Sequence, residues 1–268
     1  MIKVFITGAS GNVGSTIVRH IQSRSEFQLV GGWAKEAGQD MGTLAGLAPL
    51  GLSVSPSLEQ GLDASQPDVV IDFSATPLLR GNLQAYADRG LNAVVGTTGL
   101  TESDLAPFAQ LVRDKGLRWA VIPNYGLGIS LASQFIQQAR QFYPYITISD
   151  QHTQAMANAP SGTAAALAAD AVNAANALPL GAVESQEVYP GVLGASISGV
   201  PVFSQRLPFP GPYSGHVITL ARPDEVIKLE VMDFTSDIYM DGVFLTAGKI
   251  AGFPAGTLLR SLAQVING

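Results

Sequence analysis

The sequence predicts an α/β protein in two parts: a doubly wound parallel sheet over about the first 125 residues, then an α+β part with a mixed, largely antiparallel sheet. Three observations carry this. Short buried-type apolar runs alternate with amphipathic helical stretches up to Pro123, the pattern of βα units packed on a parallel sheet. After Pro123 the texture changes to two helical stretches and strand-like runs broken by Gly and Pro. From about Ser236 the chain reads as helical again, with Val243, Phe244 and Ile250 at helical spacings that would return it to the first part.

Residues 2–7 are β-branched and apolar, followed by a Gly-rich turn and an amphipathic stretch over 13–21. That is the strand, turn, helix order of a βα unit. Further strands are expected at 27–33, 67–73, 92–95 and 118–122, with helices at 78–87 and 105–113 between them. Thr101 and Asp104 stand three apart ahead of the second of these helices, as a capping box requires. Beyond Pro123 the expected elements are a helix over 129–142, a strand over 146–149 and an Ala-rich helix from Gly162. Strand-like runs follow at 196–203, 216–220 and 226–234. The expected domains are therefore 1–125 with 236–268, and 126–235.

Composition limits what such a protein does. The 268 residues are 47% hydrophobic and 13% charged, with a net charge of -6 and no cysteine. Disorder is excluded as the main state, and an acidic chain without a basic run lacks the footprint for nucleic acid. The absence of cysteine removes disulfides, thiolate metal sites and cysteine nucleophiles. The first ten residues are too Gly-rich and too short in apolar run for an export signal, and the Ala-rich stretch is broken by Asp170, Asn173 and Asn176 before it could span a bilayer. A cytoplasmic enzyme with no membrane partner is expected.

The clearest chemical signal is Gly8, Gly11 and Gly14, directly after a strand and opening a helix with Asn12 and Val13. This spacing lets the backbone approach a pyrophosphate and sets the anion on a helix N-terminus; it also fits a tight turn with no ligand. The second strand ends Trp33-Ala34-Lys35-Glu36. Lys35 is placed to meet a 2′-phosphate, which favours NADPH, while Glu36 would suit the ribose hydroxyls of NADH. Gly96, Thr97, Thr98 and Gly99, and Pro123, Asn124 and Tyr125, fall at the C-terminal ends of expected strands, where ligands of open α/β sheets bind.

In the second part, Ser161, Gly162 and Thr163 introduce the Ala-rich helix and present hydroxyls and backbone N–H groups to a carboxylate; plain capping is the alternative. His152, expected just after a strand, is the candidate acid, since imidazole exchanges protons near neutrality. His20, His152 and His216 are dispersed in sequence and are not read as a metal site. Arg206, expected in a loop ahead of a Pro-rich stretch, could contribute positive charge to an anion site or be a surface arginine.

Taken in order, these pieces resemble the dihydrodipicolinate reductase family over nearly the whole chain. The resemblance rests on the glycine loop from Gly8, on Asp72, Phe73 and Ser74 with Pro77 and Asn82, on Gly96 to Gly99, on Pro123 to Tyr125, and on Ala159 to Thr163. It implies a Rossmann-like nucleotide domain binding NADPH or NADH through the glycine loop, Phe73, Ser74 and the Gly96 loop. It also implies a substrate domain that builds a homotetramer, a catalytic histidine at His152, and a substrate carboxylate held by Ser161, Gly162 and Thr163; Thr153 is a further expected substrate-binding residue. The family pattern E-x-H-H-x-x-K-x-D-A-P-S-G-T reads here with Asp150, His152, Thr153, Met156 and Asn158 at its first acidic, two histidine, lysine and second acidic positions. A thioether at 156 cannot donate a proton. Gly126 stands where serine is usual, and Ser236 where arginine is usual. Either His152 or water then supplies the proton, or the substrate differs: a divergent reductase of another cyclic imine, or a non-catalytic assembly or regulatory protein keeping the scaffold, are the other readings. A short-chain dehydrogenase would need Tyr-x-x-x-Lys, which does not occur.

Overall fold

Six parallel strands form one sheet, in the order β11-β5-β4-β3-β1-β2. The computed structural model describes residues 1–154, 156, 158–208 and 213–268. Two units are separated within it, Met1–Leu127 with Ser236–Gly268, and Gly128–Thr235.

In the first unit the elements run β1 (Ile2–Thr7), α1 (Asn12–Ile21), β2 (Phe27–Trp33), α2 (Met41–Leu44), α3 (Leu58–Ser65), β3 (Val69–Asp72), α4 (Thr76–Asp88), β4 (Asn92–Val95), α5 (Glu102–Asp114) and β5 (Arg118–Val121). Its sheet is apolar on both faces because successive side chains alternate sides. Val4, Ile6, Ile71, Val94 and Ala120 pack with the α1 side, and Phe5, Val70, Ala93, Val95 and Trp119 with the side of α3, α4 and α5. Each fully buried Val, Ile or Phe among them contributes roughly 1.5–3 kcal/mol. The capping box of α5 forms in both directions between Thr101 and Asp104. From β1 the chain steps outward to β2 and then returns to β3 on the other side of β1. This reversal opens a crevice beyond the carboxyl ends of β1 and β3, the general ligand position in such sheets.

The second unit contains α6 (Leu127–Ala139, from Gly128 onward), β6 (Tyr145–Thr153), α7 (Gly162–Asn173), β7 (Ala195–Ile197), β8 (Val200–Leu207), β9 (Ser214–Arg222) and β10 (Glu225–Asp233). Its sheet has the order β10-β9-β6-β8-β7. The β6–β8 pair is parallel and the other pairs are antiparallel. Ile129 and Ile136 of α6 and Leu167 of α7 bury one face of it against Ile146, Ile148, Ile218 and Leu220. The run expected as one strand over 196–203 is a hairpin, turning at Ser198 (φ 52°) and Gly199 (φ 86°), the two positive angles of a type I′ turn.

Two expectations are corrected by this sheet. The strand expected over 146–149 continues to Thr153, so His152 lies inside β6 rather than after it. Arg206 lies in β8, paired with His152, rather than in a loop; most of the Pro-rich stretch behind it, 209–212, lies outside the described residues. After Thr235 the chain re-enters the first unit with α8 (Met240–Lys249), β11 (Thr257–Leu259) and α9 (Leu262–Asn267). Val243, Phe244 and Ile250 join the core beneath β1, and β11 closes the sheet edge beside β5.

Candidate active site

At the crevice of the first unit the backbone approaches itself too closely for side chains. A Cβ on Gly14 would lie 2.0 Å from the Gly8 carbonyl oxygen, and one on Gly8, which has φ +83°, would lie 2.4 Å from the Phe73 carbonyl oxygen. The Gly11 N–H donates to the Gly8 carbonyl at 3.0 Å. Gly11 caps α1 without a side chain, and the first turn of α1 carries no acidic residue. The loop therefore leads from β1 into an uncharged helix start beside β3, which is a cradle suited to an anion.

Asp72 organises the neighbouring loops. It ends β3 fully buried. Its Oδ1 accepts from the Ser74 N–H at 2.9 Å and the Thr97 hydroxyl at 2.8 Å. Oδ2 accepts from Asn82 Nδ2 at 3.0 Å and the Tyr86 hydroxyl at 2.7 Å, and Tyr86 Oη lies 2.8 Å from Thr7 Oγ1. One carboxylate thus pins Phe73-Ser74 and Gly96-Thr97 at the ends of β3 and β4. Burial, reinforced by Asp72, pushes the Tyr86 phenol well above its ordinary value, so it stays a donor. Gly96 lets the Phe73 ring pass, since a Cβ there would meet it at 2.1 Å. The Gly99 φ of +105° brings the loop back over Thr76, whose hydroxyl donates to the Thr98 carbonyl at 2.8 Å. Tyr125 is buried against Phe73, its hydroxyl 3.2 Å from the carbonyls of Val95 and Ala120. It acts as a tie between strand ends. Asn124 Oδ1 accepts from the Gly126 N–H at 2.7 Å, and Pro123 precedes it beyond β5.

Beyond β2 the Lys35 side chain is 87% exposed, with Nζ 3.6 Å from Glu36 Oε1. Glu36 turns inward. The Ser10 hydroxyl in the glycine loop, ahead of Lys35, holds its carboxyl below the ordinary value.

In the second unit the strand period of two sorts the residues. Ile146 and Ile148 face the helices, and so do Asp150 and His152 after them in β6. The register brings Ser204 and Arg206 of β8 and Ser214 and His216 of β9 beside these two. Asp233 Oδ2 of β10 accepts from the Ser214 hydroxyl at 2.6 Å. The apolar sheet face thus ends in a buried polar cluster, against which α7 begins. Asp150 Oδ2 accepts from the Ser161 N–H at 2.9 Å and lies 3.4 Å from His152 Nε2. Ser161 Oγ caps α7 by accepting from the Ala164 N–H at 3.1 Å and stands 3.3 Å from His216 Nε2. The two imidazoles meet edge to face, 5.6 Å between centroids.

Burial pushes Asp150 up, but Ser204, the Ser161 N–H and Arg206 outweigh it, and the carboxyl sits below its ordinary value. Burial lowers His152 against the opposing pull of Asp150. Burial, then repulsion from His152, takes His216 down to about 4. Arg206 anchors the segment before α7: Nε donates to the Met156 carbonyl at 2.9 Å, another guanidinium nitrogen donates to the Asn158 carbonyl, and Nη1 lies 3.7 Å from Asp150 Oδ2. Gly162 and Thr163 form the first turn of α7, where a Cβ on Gly162 would meet open space.

The structure brings together His152, Asp150, Ser161 and the α7 start, and separately the glycine loop with Phe73, Ser74 and Gly96 to Gly99. Thr153 takes the sheet face opposite His152. His216, which stands in none of the sequence motifs, also enters the cluster. Its signal was parity: Ser214, His216, Ile218 and Leu220 alternate as Ile146, Ile148, Asp150 and His152 do. Among the described residues there is no His/Cys/Asp/Glu group suited to a metal, and no helix long and apolar enough to cross a membrane.

Comparison with known proteins agrees with both halves. The family model described as dihydrodipicolinate reductase, N-terminus, matches residues 2–125, and that described as dihydrodipicolinate reductase, C-terminus, matches residues 128–266. The 4-hydroxy-tetrahydrodipicolinate reductase of Synechococcus elongatus is 31% identical over 257 residues, 93% of each chain. That of Enterococcus faecalis is 30% identical over 266 residues, 99% of this chain and 100% of its own. The dipicolinate-bound dihydrodipicolinate reductase from Paenisporosarcina sp. TG-14 shares the fold, with a TM-score of 0.84 at 24% identity over 98% of this chain and 99% of that one. With its two halves matched in order, this chain belongs to the dihydrodipicolinate reductase family of oxidoreductases.

Proposed function

We propose that the protein reduces 4-hydroxy-tetrahydrodipicolinate, or a closely similar carboxylated cyclic imine, using NADPH or NADH. The observation that carries the reading is the buried carboxylate of Asp150, which lies 3.4 Å from Nε2 of the acid candidate His152 and accepts from the N–H of Ser161, at the start of the turn, at 2.9 Å. A reduced pyridine nucleotide supplies a hydride when bound. The closeness of Gly8 and Gly14, which a Cβ would fill, supports its pyrophosphate lying on the loop of Gly8, Gly11, Asn12, Val13 and Gly14. Phe73, Ser74, Gly96 to Gly99 and Pro123 to Tyr125 would flank it. Glu36, held at the glycine loop by Ser10, suits the ribose hydroxyls of NADH, and the exposed Lys35 suits the added phosphate of NADPH. Both nucleotides are therefore accepted.

On the substrate side, Ser161, Gly162 and Thr163 would take a carboxylate on hydroxyl and backbone donors. His152 would deliver a proton to the atom that gains electron density as hydride arrives, with the nearby Asp150 carboxylate stabilising the imidazolium. Met156 has no proton to give. A homotetramer built by the second unit is also part of the proposal. Exposed apolar residues there, among them Val183, Val188, Tyr189 and Phe234, support it; light scattering would then give four times 27.9 kDa.

The test is oxidation of NADPH and NADH by the purified protein with 4-hydroxy-tetrahydrodipicolinate generated in situ. Turnover is expected, and His152→Ala is expected to lower kcat about 100-fold or more with nucleotide affinity unchanged. Nucleotide binding without turnover would redirect the reading to another cyclic imine, and an undiminished kcat in the variant would remove His152 from the chemistry.

A further inference from the structure

The cluster at the end of β6 has the wrong charge for the ligand its donors invite. Asp150 and Asp233 are buried. The cation within reach is Arg206, four-fifths buried, whose guanidinium is already engaged with the Met156, Asn158 and Gln205 carbonyls. On the remaining faces, β9 brings His216, and the α7 side brings the backbone and hydroxyl of Ser161. Tyr213 lies just ahead of β9, and Asp170 is taken up farther along α7 by the Ser133 hydroxyl at 2.6 Å. The six undescribed residues are Ala155, Ala157, Phe209, Pro210, Gly211 and Pro212, which have no ionisable side chain. With both imidazoles neutral, two carboxylates thus face one guanidinium, and a carboxylate ligand adds negative charge to a site shielded from water. An uncompensated charge there costs several kcal/mol.

Two groups in the cluster can change that balance. His152 and His216 are 3% and 1% exposed. The Tyr213 backbone faces His152 and favours its protonated form, but no partner is aligned on either nitrogen of His152 or on Nδ1 of His216. Both rings have room in their bonding for a proton, and one touches the Ser161 hydroxyl that would receive the ligand.

We propose that docking of an anionic substrate at the Ser161–Thr163 turn draws one proton from solvent onto the His152–His216 pair, making His216 a positioning residue of the reaction. This rests on the reading that the turn binds a substrate carboxylate. The neutral resting state agrees with the lowering of both histidines by burial. The bound anion reverses the balance, and the edge-to-face rings at 5.6 Å confine the gain to one proton, because two adjacent imidazolium ions would repel. His216 acts through Ser161 and His152. The acid is consequently loaded only when substrate is present.

Calorimetric titration of the full chain, saturated with NADPH, with pyridine-2,6-dicarboxylate at pH 7.5 in three buffers of different ionisation enthalpy tests this. The slope of heat against ionisation enthalpy is expected to give close to one proton taken up per site. Affinity is expected to tighten about tenfold for each unit of falling pH while uptake is complete. Binding with no buffer dependence overturns the proposal and leaves the functional reading standing; absence of binding in every buffer overturns both. In His152→Gln and His216→Gln, at least one count must fall below half of the parent value. If both variants bind with the parent count, the proton goes elsewhere and the proposal is wrong.

Discussion

Replacing Asp72 by Asn keeps the shape of the side chain and removes one of its two acceptors. The parent carboxylate takes four donors, two on each oxygen: the half-buried Ser74 and Thr97 on Oδ1 and the buried Asn82 and Tyr86 on Oδ2. An amide can serve one pair only. The cheaper orientation turns the new NH2 toward Tyr86 and Asn82, because Tyr86 can redirect its proton to Thr7 Oγ1 at 2.8 Å and the Asn82 amide can flip. Two charge-assisted bonds are still lost or weakened, each contributing roughly 1.5–3 kcal/mol, so the low end of about 3 kcal/mol is expected. The Ser74 and Thr97 side survives, and nucleotide affinity should change less than about threefold, under about 0.7 kcal/mol. Asp72→Ala releases both sides and should weaken nucleotide binding as well. The assay is urea unfolding followed by tryptophan fluorescence. Both tryptophans, Trp33 and Trp119, lie in the first unit, so the transition reports this unit alone. An Asp72→Asn protein within about 0.5 kcal/mol of the parent, the range of an indifferent surface change, would refute the view of Asp72 as the tie between these loops.

His216 binds its proton near pH 4 when folded and near 6.5 when unfolded, so the unfolded chain takes up more protons as pH falls through that window and stability declines. About 3 kcal/mol is lost this way by pH 4, and His216→Gln should flatten that part of a calorimetric pH–stability curve; parallel curves would count against the buried neutral histidine. Gly14→Ala drives a methyl to 2.0 Å from the Gly8 carbonyl, and a fluorescence titration should show NADPH affinity reduced at least about tenfold, roughly 1.4 kcal/mol. Lys35→Ala should weaken NADPH by a few-fold and leave NADH unchanged, while Glu36→Gln should weaken NADH; equal effects on the two nucleotides would remove these residues from ribose recognition.

Much of the first unit is legible in the sequence because most positions of its central strands are buried and read as short, mainly apolar runs. Residues 2–7, 27–33 and 92–95 coincide with β1, β2 and β4. The short elements escape. The helix α2, four residues capped by Asp40, and α3, capped by Ser57, are set by local hydrogen bonds in a stretch without strong periodicity, and β11 is three residues long at a sheet edge. The length of β6 is hidden for a different reason. Asp150 and His152 occupy inward positions where apolar residues would have continued the alternation, so the chemistry erases the strand signal at the place where the site is built. His216 escapes because its neighbours are chosen by the β6–β9 register, 64 positions away in the chain from His152, and only pairing Asp150 with His216 reveals it.

The nucleotide-side sheet is closed by chain that arrives last. Val243, Phe244 and Ile250 fill its core, a Cβ on Gly242 would lie 2.0 Å from the Tyr125 carbonyl oxygen, and β11 covers the edge of β5. During synthesis, residues 1–127 therefore emerge with an open flank, whereas 128–235 are continuous and have their whole core in hand once made. At roughly 5–20 residues per second the flank waits several seconds for its final helices. The inserted unit can become ordered before the unit that precedes it, which reverses the usual order in which domains mature on the ribosome.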